Sequence, residues 1–191
     1  MLMTDPKIIV AIDTFDFEKA NAILEQLNPD HCLVKIGSVV FNALGKSFLR
    51  HASSQGFKIF LDLKLHDIPN TVHETITGFN DCKIDMLTVH ISGGEEMLKK
   101  AMLAGKFINT KVIGVSILTS LEEEDSLALF DNTLEDQISN LFKIAVKVNL
   151  DGIEQVVFIV PIPAISIFSL FSNRPAISFI SSSSSASLVK Y

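Results

Sequence analysis

A short apolar run followed by residues at helical spacing recurs along most of this chain. The runs begin at Lys7, His31, Phe57, Ile84 and Lys111, a period of about 25 residues that suits a strand plus a crossover helix. Residues 7–13 read as a strand, and Phe17, Ala20, Ile23, Leu24 and Leu27 give the apolar face of a helix over 15–27. Residues 31–37 repeat the strand, with helical material through Leu44, Phe48 and Ala52 to a turn at Gly56. In the third unit residues 57–61 are the strand, Pro69 opens the helix, and Val72, Ile76 and Phe79 form its apolar side. Residues 84–90 and a helix from Glu95 to about Leu103 make the fourth unit. Residues 111–120 are a fifth strand, followed by an acidic loop over 122–125 and a helix over 134–148. A sixth strand should begin at Asp151-Gly152-Ile153.

Strands that alternate with helices in this way form a parallel sheet. A doubly wound sheet holding a dinucleotide would carry a glycine-rich first turn, and Asp13-Thr14-Phe15-Asp16 is not one. A (β/α)8 barrel of the TIM type gathers its chemistry at the C-terminal ends of several strands. Asp13, Lys35, Asp62, Lys64, His90 and Thr119 fall at or near such ends. The α/β barrel is therefore the expected fold.

The densest such position is Asp62-Leu63-Lys64-Leu65-His66-Asp67-Ile68-Pro69-Asn70-Thr71, which arrives where an apolar strand ends. Residues two apart on a strand share a face, so Asp62 and Lys64 should project together, with Asp67 reaching the same place from the loop. A surface ion pair is the plain alternative and contributes little. Three charges at the mouth of a packed sheet cost desolvation, which favours a functional reading.

This ten-residue string resembles the signature of the orotidine 5'-phosphate decarboxylases, the carboxy-lyases that close UMP synthesis in pyrimidine biosynthesis. The resemblance covers about residues 7–153. It implies cofactor-free decarboxylation of orotidylate, no metal, and a catalytic array of Lys35, Asp62, Lys64 and Asp67 in which Lys64 protonates C6. It also implies that Asp13 and Lys35 hold the ribose hydroxyls and that Thr119 sits by the pyrimidine. Asp67, Ile68 and Thr71 would reach the neighbouring subunit's site, so a cytoplasmic homodimer is implied. Sister families share Asp-x-Lys-x-x-Asp but use magnesium, which leaves a sugar-phosphate decarboxylase or aldolase as one alternative; an inactive barrel fragment that keeps nucleoside binding is another. Asp13 could instead cap the helix that follows it, Thr119 could be an ordinary loop hydroxyl, and His90 could be a structural histidine. His66 and His73 match no zinc spacing.

A net charge of −6 and scattered basic residues argue against a nucleic-acid surface. Cys32 and Cys82, in no metal-like spacing, read as reduced thiols of a cytosolic protein. The first residues lack the basic and apolar regions of a signal peptide.

Residues 1–153 form the recognisable barrel portion, whereas 154–191 are an apolar and serine-rich tail in place of the barrel's C-terminal units. The apolar part is broken by Pro161 and Pro163 and is poor as a membrane span, and Ser181 to Ser185 form an unbroken serine tract. By resemblance this region should supply two further strand-helix units and the phosphate-binding segments. Asn173-Arg174-Pro175 lacks the preceding glycine and strand, so Arg174 is not assigned that role. A frame-shifted, truncated or misassigned C-terminus is the reading this favours.

Overall fold

The computed structural model describes residues 8–118, 120–155, 158–161 and 186–190. In chain order the elements are β1 (Ile8–Ile12), α1 (Phe17–Glu25), β2 (Cys32–Gly37), α2 (Ser38–Ser54), β3 (Ile59–Leu65), α3 (Pro69–Thr77) and β4 (Met86–His90). After a 3-10 turn at Ile91–Gly93 come α4 (Gly94–Phe107), β5 (Lys111–Val115), α5 (Glu123–Phe130), α6 (Leu134–Val148), β6 (Gly152–Gln155), β7 (Phe158–Pro161) and β8 (Ala186–Lys190). The described chain divides into two units. One holds residues 8–63, 78–87 and 186–190; the other holds 64–77, 88–118, 120–155 and 158–161.

In the first unit β1 pairs in parallel with β2, from Ile8 opposite Cys32 to Ile12 opposite Ile36. β2 pairs in parallel with β3, from Val34 opposite Ile59 to Gly37 opposite Asp62. Ile9 to Ile12, Cys32 to Val34 and Ile59 to Leu61 are all buried, which explains why these strands read as continuous apolar runs instead of alternating ones. Asp16 starts α1: its carboxylate accepts the Lys19 N–H at 3.1 Å, satisfying a donor the helix itself leaves open. Phe17 packs edge-on against Phe48, joining α1 to α2 with ring centroids 6.0 Å apart. β8 pairs with β1 antiparallel.

In the second unit α3 packs on α4, and α4 lies on β5 and α6. Met97, Leu98, Ala101 and Ala104 form the buried stripe of α4. Gly105 permits that approach, since a Cβ there would lie 2.5 Å from Val112 Cγ2 and 2.8 Å from the Thr110 carbonyl oxygen. β5 pairs with β6 in parallel, whereas β6 pairs with β7 antiparallel.

Strand–helix alternation with parallel pairing is the α/β architecture of the TIM-type barrel, as the sequence led one to expect. Beyond β6 the described strands depart from it, because β7 and β8 run antiparallel to their partners. The apolar stretch 162–171, Arg174 and the serine tract lie outside the described residues. No helix among the described residues is long and apolar enough to cross a membrane.

Three expected boundaries shift. β3 continues to Leu65, so Asp62 and Lys64 lie within the strand, not beyond it. β5 stops at Val115, well short of residue 120. Residues 122–125 are not a loop: Glu122 caps α5, and its N–H donates to Asp125 Oδ2 at 3.0 Å. Carboxylates in a first helical turn meet open N–H groups and the positive end of the helix dipole, so the acidic run that reads as loop starts a helix.

Candidate functional site

The first unit positions Asp13, Lys35 and Asp62. Register places Ala11 opposite Lys35 and Lys35 opposite Phe60. Residues facing one another across a ladder share a sheet face, and so do residues two apart, so Lys35 and Asp62 lie on one face. Lys35 Nζ is 3.5 Å from Asp62 Oδ2; the Asp62 side chain is only 5% exposed and that of Lys35 27%. A carboxylate buried to this degree needs its cation, because moving it from water uncompensated would cost several kcal/mol. Asp13 follows β1 and is exposed. It does not cap α1, a role that Asp16 fills.

The second unit positions Lys64, Asp67, Ile68 and Thr71. Lys64 is half-buried and has φ of +50°. A left-handed backbone at a residue with a Cβ costs about 1–2 kcal/mol, so surrounding contacts must hold it there. One is visible: the Lys64 N–H donates to Thr88 Oγ1 at 2.8 Å, and Thr88 is fully buried. Simple strand alternation therefore does not set the direction of Lys64, because a left-handed residue interrupts the extended period.

Beyond Lys64, His66 stands 5.3 Å from His90, ring centroid to ring centroid. Gly93 leaves His66 room, since a Cβ there would come within 3.2 Å of His66 Cδ2 and 2.1 Å of Met97 Sδ. Asp67 Oδ1 accepts the Ile68 N–H at 2.6 Å, and the Ile68 carbonyl accepts the Val72 N–H as α3 begins. Asp67, Ile68 and Thr71 are all exposed, Ile68 to 67%. Thr119 lies outside the described residues.

Three residues escaped the sequence reading. Thr88 is one; its signal is a hydroxyl inside the apolar strand Met86–His90. Asp85 and Asp151 are the others, each immediately before or near the start of a strand. Asp85 Oδ2 accepts the Ile59 N–H at 2.9 Å while its own N–H donates to the Ile59 carbonyl. Asp151 Oδ2 accepts the Val112 N–H at 2.8 Å and returns the same reciprocal bond to the Val112 carbonyl.

Comparison with known proteins bears on these positions. The model of the "Orotidine 5'-phosphate decarboxylase / HUMPS family" matches residues 6–154. An orotidine 5'-phosphate decarboxylase of Buchnera aphidicola subsp. Baizongia pistaciae is 46% identical over 149 residues, covering 76% of this chain and 63% of the relative. One from Legionella pneumophila strain Corby is 38% identical over 152 residues, covering 78% and 66%. This chain thus spans less than two thirds of the length of these curated relatives. The crystal structure of orotidine 5'-phosphate decarboxylase from Lactobacillus acidophilus superposes with a TM-score of 0.69 at 35% identity, covering 78% of this chain and 70% of that one. The fold is shared more widely: an orotidine 5'-monophosphate decarboxylase from Methanocaldococcus jannaschii, complexed with the inhibitor BMP, gives a TM-score of 0.66 at 23% identity. With the family model matching residues 6–154, most of the chain, and relatives at this identity, the chain belongs to the orotidine 5'-phosphate decarboxylase / HUMPS family.

Proposed function

We propose that this chain decarboxylates orotidine 5'-phosphate to UMP in pyrimidine biosynthesis, without a cofactor. The observation that carries the reading is the buried Asp62 carboxylate paired with Lys35 at 3.5 Å on a barrel strand, inside the family-matched residues. A desolvated charge pair is a poor stability device and a good electrostatic one. The relatives described above support the substrate, because they carry the orotidylate enzyme's name. The magnesium-dependent sugar-phosphate alternative has no comparable support and is not carried forward.

In this reading the C6–carboxylate bond breaks, CO2 leaves, and the electron pair stays on C6. The Lys64 ammonium stabilises that charge and then gives C6 its proton. Asp62 and Asp67 complete the alternating array of charges with Lys35 and Lys64. Asp62 lies beside the departing carboxylate, and Asp13 and Lys35 bind the ribose hydroxyls. Thr119 contacts the pyrimidine.

We infer further that two copies associate in the cytoplasm, with Asp67, Ile68 and Thr71 reaching the neighbouring site. The exposure of all three supports that assembly, and Ile68 in particular is a large apolar side chain left in water.

The test is CO2 release from orotidine 5'-phosphate by the full chain and by Lys64→Ala. Loss of a general acid that also stabilises charge should lower turnover by about 10²- to 10⁴-fold. Turnover that survives the substitution would sink the role of Lys64.

A further inference from the structure

We infer that Thr88 is a positioning residue for Lys64: its buried hydroxyl holds the Lys64 backbone in the left-handed conformation that aims the ammonium. The consequence for turnover rests on the decarboxylase reading; the consequence for backbone geometry does not.

Lys64 is a non-glycine residue with φ of +50° inside the strand Ile59–Leu65. Such a conformation persists only where its surroundings over-determine it. Thr88 supplies a fixed acceptor, with Oγ1 2.8 Å from the Lys64 nitrogen. Three features make that acceptor rigid. Thr88 is fully buried, it sits within the strand Met86–His90, and its β-branched side chain has few rotamers to choose from. The hydroxyl cannot swing away into water.

Holding the N–H also holds the side chain. The direction of the Cα–Cβ bond follows φ and ψ, and a lysine carries any error out along its four-carbon stem to Nζ. If Lys64 relaxed to extended backbone, its ammonium would leave the position set by the left-handed turn. His90, two residues beyond Thr88 on the same strand, stands against His66, two residues beyond Lys64. The chain is thus held at both 64 and 66 from β4, with Thr88 at the strained residue itself.

Thr88→Val removes the acceptor while keeping the branched shape, and Thr88→Ser keeps the acceptor. In the full chain, amide hydrogen exchange measured by NMR reports the bond directly. The Lys64 amide should exchange slowly in the unmodified chain and in Thr88→Ser, and on the order of tenfold faster in Thr88→Val. With orotidine 5'-phosphate as substrate, Thr88→Val should lower kcat by about 10- to 100-fold, because misplacement by ~1 Å is costly in catalysis. KM should change far less, and Thr88→Ser should restore kcat.

Equal Lys64 exchange in the valine variant and the unmodified chain would overturn the inference, as would a serine variant that behaves like valine. Should Thr88→Val not fold, fast exchange at Lys64 in the unmodified chain or in Thr88→Ser overturns it instead, and slow exchange in both supports it. If the unmodified chain releases no CO2, the decarboxylase reading alone fails, and the exchange measurements still decide whether Thr88 holds Lys64.

Discussion

The two units use the same device at the start of their strands and opposite devices at the other end. In the first, the Asp85 carboxylate accepts the N–H of Ile59, the first residue of β3. In the second, Asp151 does the same to Val112 near the start of β5. Each aspartate also returns its own N–H to the carbonyl of the residue it clips, so the register is locked in both directions. Toward the C-terminal ends the units diverge. Lys35 and Asp62 are set by regular parallel register and meet as an ion pair. Lys64 is set by leaving regular strand geometry and by a hydroxyl 24 residues away in sequence. The repeated clip fixes strand register within each unit, whereas the charged residues toward the C-terminal ends, where barrels in general carry their chemistry, are set by different means in each.

Three substitutions test that division. The largest effect on stability should come from Lys35→Met, which leaves Asp62 in a site where it is 5% exposed. Breaking a fully buried pair costs about 3–5 kcal/mol; because Lys35 keeps partial solvent contact, about 2–3 kcal/mol is the expected loss. Urea unfolding checks it. A loss under ~0.5 kcal/mol would mean that Asp62 is well held by other groups, and that the ion pair belongs with ordinary surface pairs.

Next come the clips. Asp85→Ala and Asp151→Ala each remove a charged acceptor from a strand N–H, at a cost of about 1.5–3 kcal/mol for a bond to an ionised group. Asp85 is half-buried and Asp151 exposed, so Asp85→Ala should cost about 2 kcal/mol and Asp151→Ala about 1.5 kcal/mol or less, where water replaces the lost acceptor. Neither should change what Lys64 does. Should Asp151→Ala cost as much as Asp85→Ala, exposure would not be what separates the two clips.

How far the sequence carried this picture depends on which force sets each feature. Strands β1 to β5 were legible because burial on both faces writes itself as apolar runs, such as Ile8-Ile9-Val10-Ala11-Ile12, whereas the start of β6 was placed by the recurring strand–helix period. The start of α3 at Pro69 and the span of α6 were legible for local reasons, a first-turn proline and a clear amphipathic period. Strand position put Lys35 and Asp62 each near a C-terminal strand end, but their association in one array was expected only from the family resemblance. Lys64 was recognisable as a residue but not as a conformation, since lysine has no preference for positive φ and the group that holds it lies on another strand. Asp85 and Asp151 were invisible for a related reason: a clip is a contact between distant residues, and an acid before a strand looks like any loop acid. Residues 122–125 misled because the same carboxylates that favour a loop also favour a helix's first turn.

The smallest effect separates the units by pH. Cys32 and Cys82 both belong to the first unit and are both buried. Burial, which disfavours the thiolate, pushes each above the ordinary value of 9.0, and for Cys82 the nearby Asp81 charge adds to it. With the folded value raised, the stabilising contribution is complete below about pH 9, where both states hold a thiol. Above it the unfolded chain gives up its protons first, and stability declines as pH rises through the folded values. Urea midpoints should thus be level from about pH 7 to 8 and fall above about 9. In Cys32→Ala the fall should be shallower, although the midpoint at neutral pH drops through lost packing. An alkaline slope unchanged in a Cys32→Ala, Cys82→Ala double variant would assign the decline to other groups and remove this distinction between the units.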